Sequence, residues 1–249
     1  DSVRWLGECG CERAEIRFDF PDYFQPDDPI QIFELTKALA QYGVRVQSVH
    51  ARIHGGTDFT QLDEQDRKAA VALQKRDMSL AVDLGASAMV FHPGAHRGPD
   101  RRTEHLKAAR KSTEELSEFA SRISLKMAVE NMLGDQLGNT AEEILEIISD
   151  ANPSWCGVCL DTGHAHTHGR LYEMAEILMP RCYSTHFHDN DGISDLHLFP
   201  GDGTIDWARL GTIFKQTTCG AWLTIESNRG EFASWEMAEQ KFLSLIGMG

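Results

Sequence analysis

Short apolar and β-branched runs alternate with longer amphipathic segments along the chain. The short runs predict strands, and apolar residues recurring at three- and four-residue intervals predict helices. The predicted strands are Arg13–Phe18, Val44–Ala51, Ala88–His92, Lys126–Asn131, Gly157–Asp161, Tyr183–His188 and Ala221–Glu226. The predicted helices cover residues 30–42, 64–84, 103–121, 140–149, 171–179, 206–216 and 233–246. This alternation is typical of βα units built around a parallel sheet.

Several helix ends carry their own signals. Thr140 and Glu143 match a capping box, in which the two side chains satisfy backbone amides at the start of a helix. Gly43 and Gly85 stand just after predicted helices, where a left-handed residue is favoured. These signals support the helix boundaries that the apolar pattern gives.

The length of the chain fits one barrel domain. A chain of 249 residues that is 41% hydrophobic can bury one substantial core, and no linker or low-complexity segment divides it. Residues 1–8 predict the last turns of a helix, so an eight-stranded barrel would need one more strand ahead of Asp1. We therefore predict an α/β fold, a single (β/α)8 TIM barrel domain over residues 1–249, with the first β-strand missing from the N-terminus.

Composition excludes some classes of function. The formal net charge of -14 disfavours broad adhesion to nucleic acid or anionic lipid. No apolar run is long enough to span a membrane, and the N-terminus does not match a signal peptide. The six cysteines show no disulfide framework, which favours a cytoplasmic location. Cys156 and Cys159 match a redox or zinc pair in spacing, but their apolar surroundings favour buried, inert thiols.

Six of the seven predicted strands carry a side chain that can bind a metal within two residues of their end. These strand-end residues are His50, His92, Glu130, Asp161, His186 and Glu226. In a parallel α/β barrel the active site forms at the C-terminal ends of the strands. A single His or Glu at such a position is more often structural. Six together, in a chain with only 11 His, predict a metalloenzyme.

Between residues 161 and 197 the candidate ligands are closely spaced. His186 and His188 share one face of a strand, as Asp195 and His197 would in an extended loop, and Asp161 and His164 flank the turn that leaves a strand. Other polar residues receive lesser roles. His166 and His168 are expected to be solvated or to lie behind the ligands, Asp189 and Asn190 to orient imidazoles, His54, His96 and His105 to lie at the surface, and residues 201–203 to form a plain turn.

The chain resembles the xylose isomerase-like barrel superfamily, which contains sugar and sugar-phosphate isomerases and epimerases together with endonuclease IV. The resemblance runs from about residue 13 to the end. The stretches that carry it are Phe91-His92-Pro-Gly94, Val129-Glu130-Asn131, Leu160-Asp161-Thr-Gly-His164, His186-Phe-His188-Asp-Asn190, Asp195-Leu-His197, Pro200-Gly-Asp-Gly203 and Thr224-Ile-Glu226.

The resemblance implies one of two ligand sets. The isomerase branch holds one divalent ion, Zn, Mn, Mg or Co, through residues that correspond to Glu130, Asp161, His186 and Glu226. Endonuclease IV holds three zinc ions, with five further ligands that correspond to His50, His92, His164, Asp195 and His197. Four of the nine are carboxylates, so the ligand shell carries a charge of about -2 with one divalent ion and about +2 with three.

The loops around the site favour the isomerase branch. Endonuclease IV follows its first ligating His with bulky residues that enter the DNA stack, whereas residues 51–56 here form a short glycine-rich loop. The loop at residues 19–28 is acidic, where phosphate contacts would require Lys or Arg. An AP endonuclease acting on abasic DNA remains the alternative, and nucleic acid is the less favoured partner.

The isomerase interpretation assigns a role to each residue. Glu130 and Glu226 would transfer the proton through an enediolate intermediate, beside a metal that polarises the carbonyl of a carbohydrate substrate. His50, His92, His164 and His188 would bind substrate. Ketose 3-epimerases of the family carry an Arg shortly after the His186-type ligand, and residues 191–194 lack it. A catalytically inactive barrel that binds a small molecule ranks third. The oligomeric state stays open, a homo-oligomer included.

Overall fold

The computed structural model describes residues 2–96, 98–217, 221–228 and 234–248. Seven parallel strands follow each other in chain order around the sheet. They are β1 (Arg13–Arg17), β2 (Arg45–His50), β3 (Ala88–Phe91), β4 (Lys126–Glu130), β5 (Cys156–Asp161), β6 (Cys182–Phe187) and β7 (Trp222–Ile225). Each strand agrees with its predicted counterpart to within one or two residues at either end. The result is a TIM-like barrel with seven strands, which agrees with the expectation of a barrel lacking one strand.

Helices connect the strands in sequence. They are α1 (Ser2–Glu8), α2 (Pro29–Tyr42), α3 (Glu64–Asp83), α4 (Arg102–Ile123), α5 (Ala141–Ile147), α6 (Thr162–Thr167), α7 (Leu171–Leu178), α8 (Trp207–Gln216) and α9 (Trp235–Leu245). The sequence pattern did not predict α6, whose six residues begin directly after β5. No helix among the described residues is long and apolar enough to cross a membrane.

Successive residues of the buried strands face two different apolar environments. Met89, Met127 and Val158 belong to the large cluster that packs the strands against the helices. Their neighbours Val90, Ala128 and Cys159 form a separate cluster, as expected for the inside of a barrel. The alternation therefore assigns one face of each strand to the helices and the other to the barrel interior.

Small or medium-sized side chains form the inner layer just below the strand ends. These residues are Ser48, Val90, Ala128, Cys159 and Ser184, and all are buried. Each precedes a predicted strand-end ligand by two positions, so the ligand points to the same inner face. The small layer leaves room for the larger imidazoles and carboxylates above it.

Most predicted helix signals are present. Gly43 and Gly85 have φ values of 69° and 91°, the left-handed conformation that was expected there. The Thr140 side chain accepts a hydrogen bond from the Glu143 amide. The second bond of the capping box is replaced, because the Glu143 carboxylate accepts from the Gly138 amide instead.

A buried carboxylate organises the long loop between β6 and α8. Asp189 accepts hydrogen bonds from the backbone amides of Asn190, Gly201 and Ile205 and from Nε1 of Trp207, at 2.7–3.1 Å. A Cβ atom at Gly203 would lie 2.4 Å from Oδ1 of Asp189. The glycines of residues 201–203 therefore serve a tight turn, as predicted. In the part of the chain that the structure describes, the Asp189 side chain hydrogen-bonds to loop amides and an indole rather than to an imidazole, so bracing of the loop replaces the predicted orienting role.

Replacement of Asp189 by Asn should destabilise the protein by about 2–4 kcal/mol, because an amide presents only one acceptor oxygen to the four donors. Urea unfolding followed by circular dichroism measures the change in the free energy of unfolding. Asp191→Asn is the matched control, since the Asp191 carboxylate is exposed and accepts from the amides of Ile193 and Ser194 in its own turn. Equal losses in the two variants would contradict the bracing role of Asp189.

Candidate metal centre

The strand ends bring all nine predicted ligands to one mouth of the barrel. His50, Glu130, Asp161 and His186 end or nearly end β2, β4, β5 and β6, and Glu226 follows β7 directly. His164 lies on α6, while Asp195 and His197 lie on the loop after β6. His92 follows β3, and its ring contacts that of His50 edge to face at 4.9 Å.

One group matches the four-ligand set of the isomerase interpretation. Glu130, Asp161, His186 and Glu226 each offer one atom, and these atoms lie within 4.8 Å of one another. Nδ1 of His186 is central in this group, 3.3 Å from Oε1 of Glu130 and 3.1 Å from Oε2 of Glu226. We refer to these four residues as the four-ligand group.

Three further groups lie beside the first: two share residues with it, and the third shares His188 with one of those two. They are His50 with Glu130 and His186, Asp161 with His164 and His188, and His188 with Asp195 and His197. His188 was assigned to substrate binding, yet its side chain is fully buried, with Nε2 3.1 Å from both oxygens of Asp161. His92 lies on the open side of the mouth, with Nε2 3.5 Å from Oε2 of Glu130.

Unpaired buried atoms support metal binding at this mouth. Oε2 of Glu130, Nδ1 of His186, Nδ1 of His188 and Oδ1 of Asp195 are buried and form no hydrogen bond. A buried polar atom without a partner costs free energy, and buried charges normally pair or coordinate a metal. Nitrogen and carboxylate donors together suit zinc, manganese or cobalt. The residues present therefore fit a divalent ion.

The start of helix α6 passes unusually close to the His188 ring. A Cβ atom at Gly163 would lie 1.9 Å from the His188 ring, so only glycine allows the start of α6 to pass this imidazole. The His188 ring in turn stacks on His197 at 4.0 Å with an angle of 4° between the planes. The Asn131 side chain joins β4 to β5 by exchanging two hydrogen bonds with the Asp161 backbone.

The electrostatics of the mouth favour ionised carboxylates beside protonated imidazoles. Burial raises the pKa of Glu130, but the charges of His186 and His92 outweigh it and hold the value well below the ordinary range. Burial lowers the pKa of His164, but Asp161, Asp195 and Glu130 outweigh it and raise the value to about 10. Asp195 and Glu226 likewise raise the pKa of His197 to about 9 against the effect of burial. Burial dominates at His92 and lowers its pKa to about 4.

Sequence reasoning missed three charged residues that line the mouth, two on β1 and one shortly after it. Oε1 of Glu15 lies 2.9 Å from Nε2 of His186. Arg17 pairs with Glu226 and, through two nitrogens, with Asp19. Asp19 lies 3.6 Å from Nδ1 of His50. The alternation of Arg13, Glu15 and Arg17 with apolar residues was the signal that could have identified them.

Other histidines have structural surroundings. His54 is exposed as predicted, but His96 and His105 are half-buried and stack at 4.0 Å, which contradicts their assignment to the surface. Nε2 of His166 contacts the Thr204 hydroxyl, and His168 is partly buried. The cysteine pair is buried, and burial raises the pKa of Cys156 to about 12, consistent with the prediction of inert thiols.

Asn190 does not orient an imidazole either. Its side chain donates to the carbonyl of Gly163 and accepts from the amide of Gly192. Asn190 therefore ties the loop after β6 to the start of α6, and the imidazoles are oriented by other groups.

Comparisons with known proteins agree with this architecture. A profile of the family described as Xylose isomerase-like TIM barrel matches residues 3–244. A solved structure described as a D-tagatose 3-epimerase-like protein has 26% identity and a TM-score of 0.79, covering 95% of this chain and 90% of its own. An uncharacterised protein of Methanocaldococcus jannaschii is 28% identical over 233 residues, 91% of this chain and 78% of its own. A probable endonuclease 4 of Nitratidesulfovibrio vulgaris strain Hildenborough is 37% identical over 99 residues, 39% of this chain and 35% of its own.

Metal uptake should release protons, and their number should report which group is filled. At pH 7 an ion in the four-ligand group displaces about one proton, from His186, whose pKa is raised well above its ordinary value. Filling every group should release about three or more, because His50, His164 and His197 also have raised pKa values. Since protons compete with the ion, affinity should increase as the pH rises from about 6 to 8.

Calorimetric titration of metal-free protein with ZnCl2, in two buffers of different ionisation enthalpy, counts these protons. The variant His197→Gln lies outside the four-ligand group, so it should leave the first proton unchanged and reduce only later release. Uptake without proton release would contradict the assignment of His186 as a ligand.

Proposed function

The chain belongs to the xylose isomerase-like TIM barrel family, and on that basis we propose that it is a metal-dependent sugar isomerase or epimerase. The observation that carries the proposal is the four-ligand group, in which Glu130 and Glu226 face the same nitrogen of His186. Two carboxylates beside one ion are what a proton transfer between neighbouring carbons of a sugar requires.

The four-ligand group would hold a divalent ion, which supplies polarisation of the substrate carbonyl and lowers the pKa of the adjacent C–H. The chain's own carboxylates then move the proton. The pKa of Glu226 is also lowered: burial raises it, and the His186 and Arg17 charges outweigh that effect. Both carboxylates are thus ionised at neutral pH and can accept a proton from the substrate.

Glu130 and Glu226 differ in their exposure to solvent, which favours different roles for the two carboxylates. The Glu130 side chain is 2% exposed and the Glu226 side chain 14%, so Glu226 is the more accessible from the mouth. Glu226 also borders a groove of about 840 Å³ that runs between β1 and β7. We assign to Glu226 the removal of the proton from the substrate C–H, and to Glu130 the delivery, from the buried side, of a proton that it first takes up from water.

Histidines at the mouth would bind the hydroxyl groups. His92 is neutral at pH 7 because of its low pKa, so its ring can both donate and accept a hydrogen bond. It also borders a second cavity of about 210 Å³, together with Thr57 and Gln136. A sugar held at the metal can extend its remaining carbons toward this cavity.

The charge of the mouth supports a carbohydrate substrate rather than DNA. Arg52, on the loop after β2, is paired with Asp27 and Asp77, so its charge is already neutralised. The likeness to a D-tagatose 3-epimerase-like protein, at 26% identity, adds support. Residues 191–194 lack the Arg that ketose 3-epimerases of the family carry after the His186-type ligand, which disfavours a ketose 3-epimerase.

One observation favours the second candidate, a zinc-dependent phosphodiesterase acting on abasic DNA. The metal-binding groups together contain His50, His164, His188, Asp195 and His197 in addition to the four-ligand group. Several ions held there would give the mouth the positive charge that a phosphate requires. The probable endonuclease 4 that matches 39% of this chain supports the same alternative.

The deciding experiment follows deuterium incorporation by NMR. Purified protein is incubated in D2O with ketopentoses or ketohexoses and Mn²⁺, Co²⁺, Mg²⁺ or Zn²⁺. We expect metal-dependent exchange at the carbon next to the carbonyl. The variants Glu130→Gln and Glu226→Gln should each reduce the rate by about 10²–10⁴, the usual contribution of a positioned acid or base.

The matched control is Glu12→Gln, which changes an exposed carboxylate paired with Arg45 outside the mouth and should retain full activity. A parallel assay tests cleavage of an oligonucleotide with one abasic site. Cleavage without sugar exchange would overturn the isomerase proposal in favour of the phosphodiesterase. Neither activity, with metal bound, would support a barrel that only binds a small molecule.

A further inference from the structure

Strand β1 contributes no predicted ligand, yet two of its side chains contact the four-ligand group. Glu15 and Arg17 lie two positions apart on one strand and therefore point to the same inner face. Glu15 contacts His186 and Arg17 contacts Glu226, so each of them touches a different ligand. These contacts cross from one edge of the described sheet to its other side, since β1 and β7 are its two edge strands.

Arg17 binds one oxygen of the Glu226 carboxylate and leaves the other facing His186. One nitrogen of its guanidinium donates to Oε1 of Glu226, while Oε2 lies 3.1 Å from Nδ1 of His186. Two other nitrogens bind both oxygens of Asp19 at 3.0 and 2.6 Å, and the guanidinium lies 4.6 Å from the Phe20 ring. Four contacts thus fix the Arg17 fork, and Glu226 is left with one free oxygen.

Glu15 likewise binds one nitrogen of His186 and leaves the other facing the carboxylates of the mouth. Nε2 donates to Oε1 of Glu15, whose second oxygen accepts from the Ser48 hydroxyl at 2.6 Å. Nδ1 is then the nitrogen that faces Glu130 and Glu226, and it has no hydrogen-bond partner. A carboxylate behind a ligating imidazole fixes its tautomer and orientation.

We propose that Glu15 and Arg17 are positioning residues that restrict His186 and Glu226 to one donor atom each, leaving room at the ion for two oxygens of a substrate. This inference rests on the proposed function, because it assigns the ion to the four-ligand group. An ion such as Mn²⁺ takes about six ligands. If each of the four ligands uses one atom, about two positions are left, which suits the carbonyl and hydroxyl oxygens on neighbouring carbons. A Glu226 that used both oxygens would occupy one of those positions.

Arg17 is well suited to this task by its surroundings. Among the residues that the structure describes, it is the only Lys or Arg that forms an ion pair with a carboxylate of the mouth. A neutral residue at position 17 would release Oε1 of Glu226 and remove one positive charge close to the ion. Both changes strengthen metal binding. The released oxygen of Glu226 can also occupy one of the positions left for substrate.

The test counts water molecules on bound Mn²⁺ and needs no sugar. Water-proton relaxation is measured on full-length protein with less than one equivalent of Mn²⁺, and affinity is measured by calorimetry. For the protein itself we expect about two exchangeable waters. Arg17→Gln should reduce the number to about one and tighten Mn²⁺ binding about tenfold. Glu15→Gln should keep about two waters and weaken binding about 10–100-fold.

The matched control is Arg13→Gln, which changes an exposed arginine on the same strand that binds Gln47 and should alter neither value. An unchanged water number in Arg17→Gln, or an equal decrease in Arg13→Gln, would overturn the proposal. If Arg17→Gln does not fold, Glu15→Gln decides alone, and unchanged affinity there overturns it. A failed sugar assay with these water numbers intact would count against the proposed function and not against this inference.

Discussion

Buried carboxylates at the mouth of this barrel are stable only because opposite charges surround them, and the rest of the site depends on that compensation. Glu130 and Asp161 are buried together with the imidazoles of His50, His164 and His186. Isolated burial of any one of these charges would cost several kcal/mol. The geometry of the mouth is therefore fixed by electrostatics as much as by packing, and a divalent ion would replace protons that already neutralise the same carboxylates.

The two-residue repeat of the strands explains why so much could be predicted from the sequence. A parallel strand that is buried on both sides still places alternate residues in two environments, so Ala128 and Glu130 had to share one face. The strands and most of the ligands follow from that rule alone. It also places the ligands at one end of the barrel, because all strands run in the same direction.

The missed features arise from contacts that a one-dimensional pattern cannot show. Helix α6 has six residues and begins inside the motif that was interpreted as a loop, since Gly163 can pass the His188 ring. Glu15 and Arg17 gave a strand pattern, but their partners are 171 and 209 residues away. Asp189 was assigned to the imidazoles because of its neighbours in sequence, whereas its acceptors turn toward the loop amides.

An ion pair at the mouth links the first and last strands of the described sheet. The ion pair from Arg17 to Glu226 joins β1 to the residue that directly follows β7. Glu226, which is assigned to the chemistry, thus also contacts the strand at the other end of the sheet. A substitution at Arg17 or Glu226 therefore alters the charges around the ligands and the contact between the two ends of the sheet at the same time.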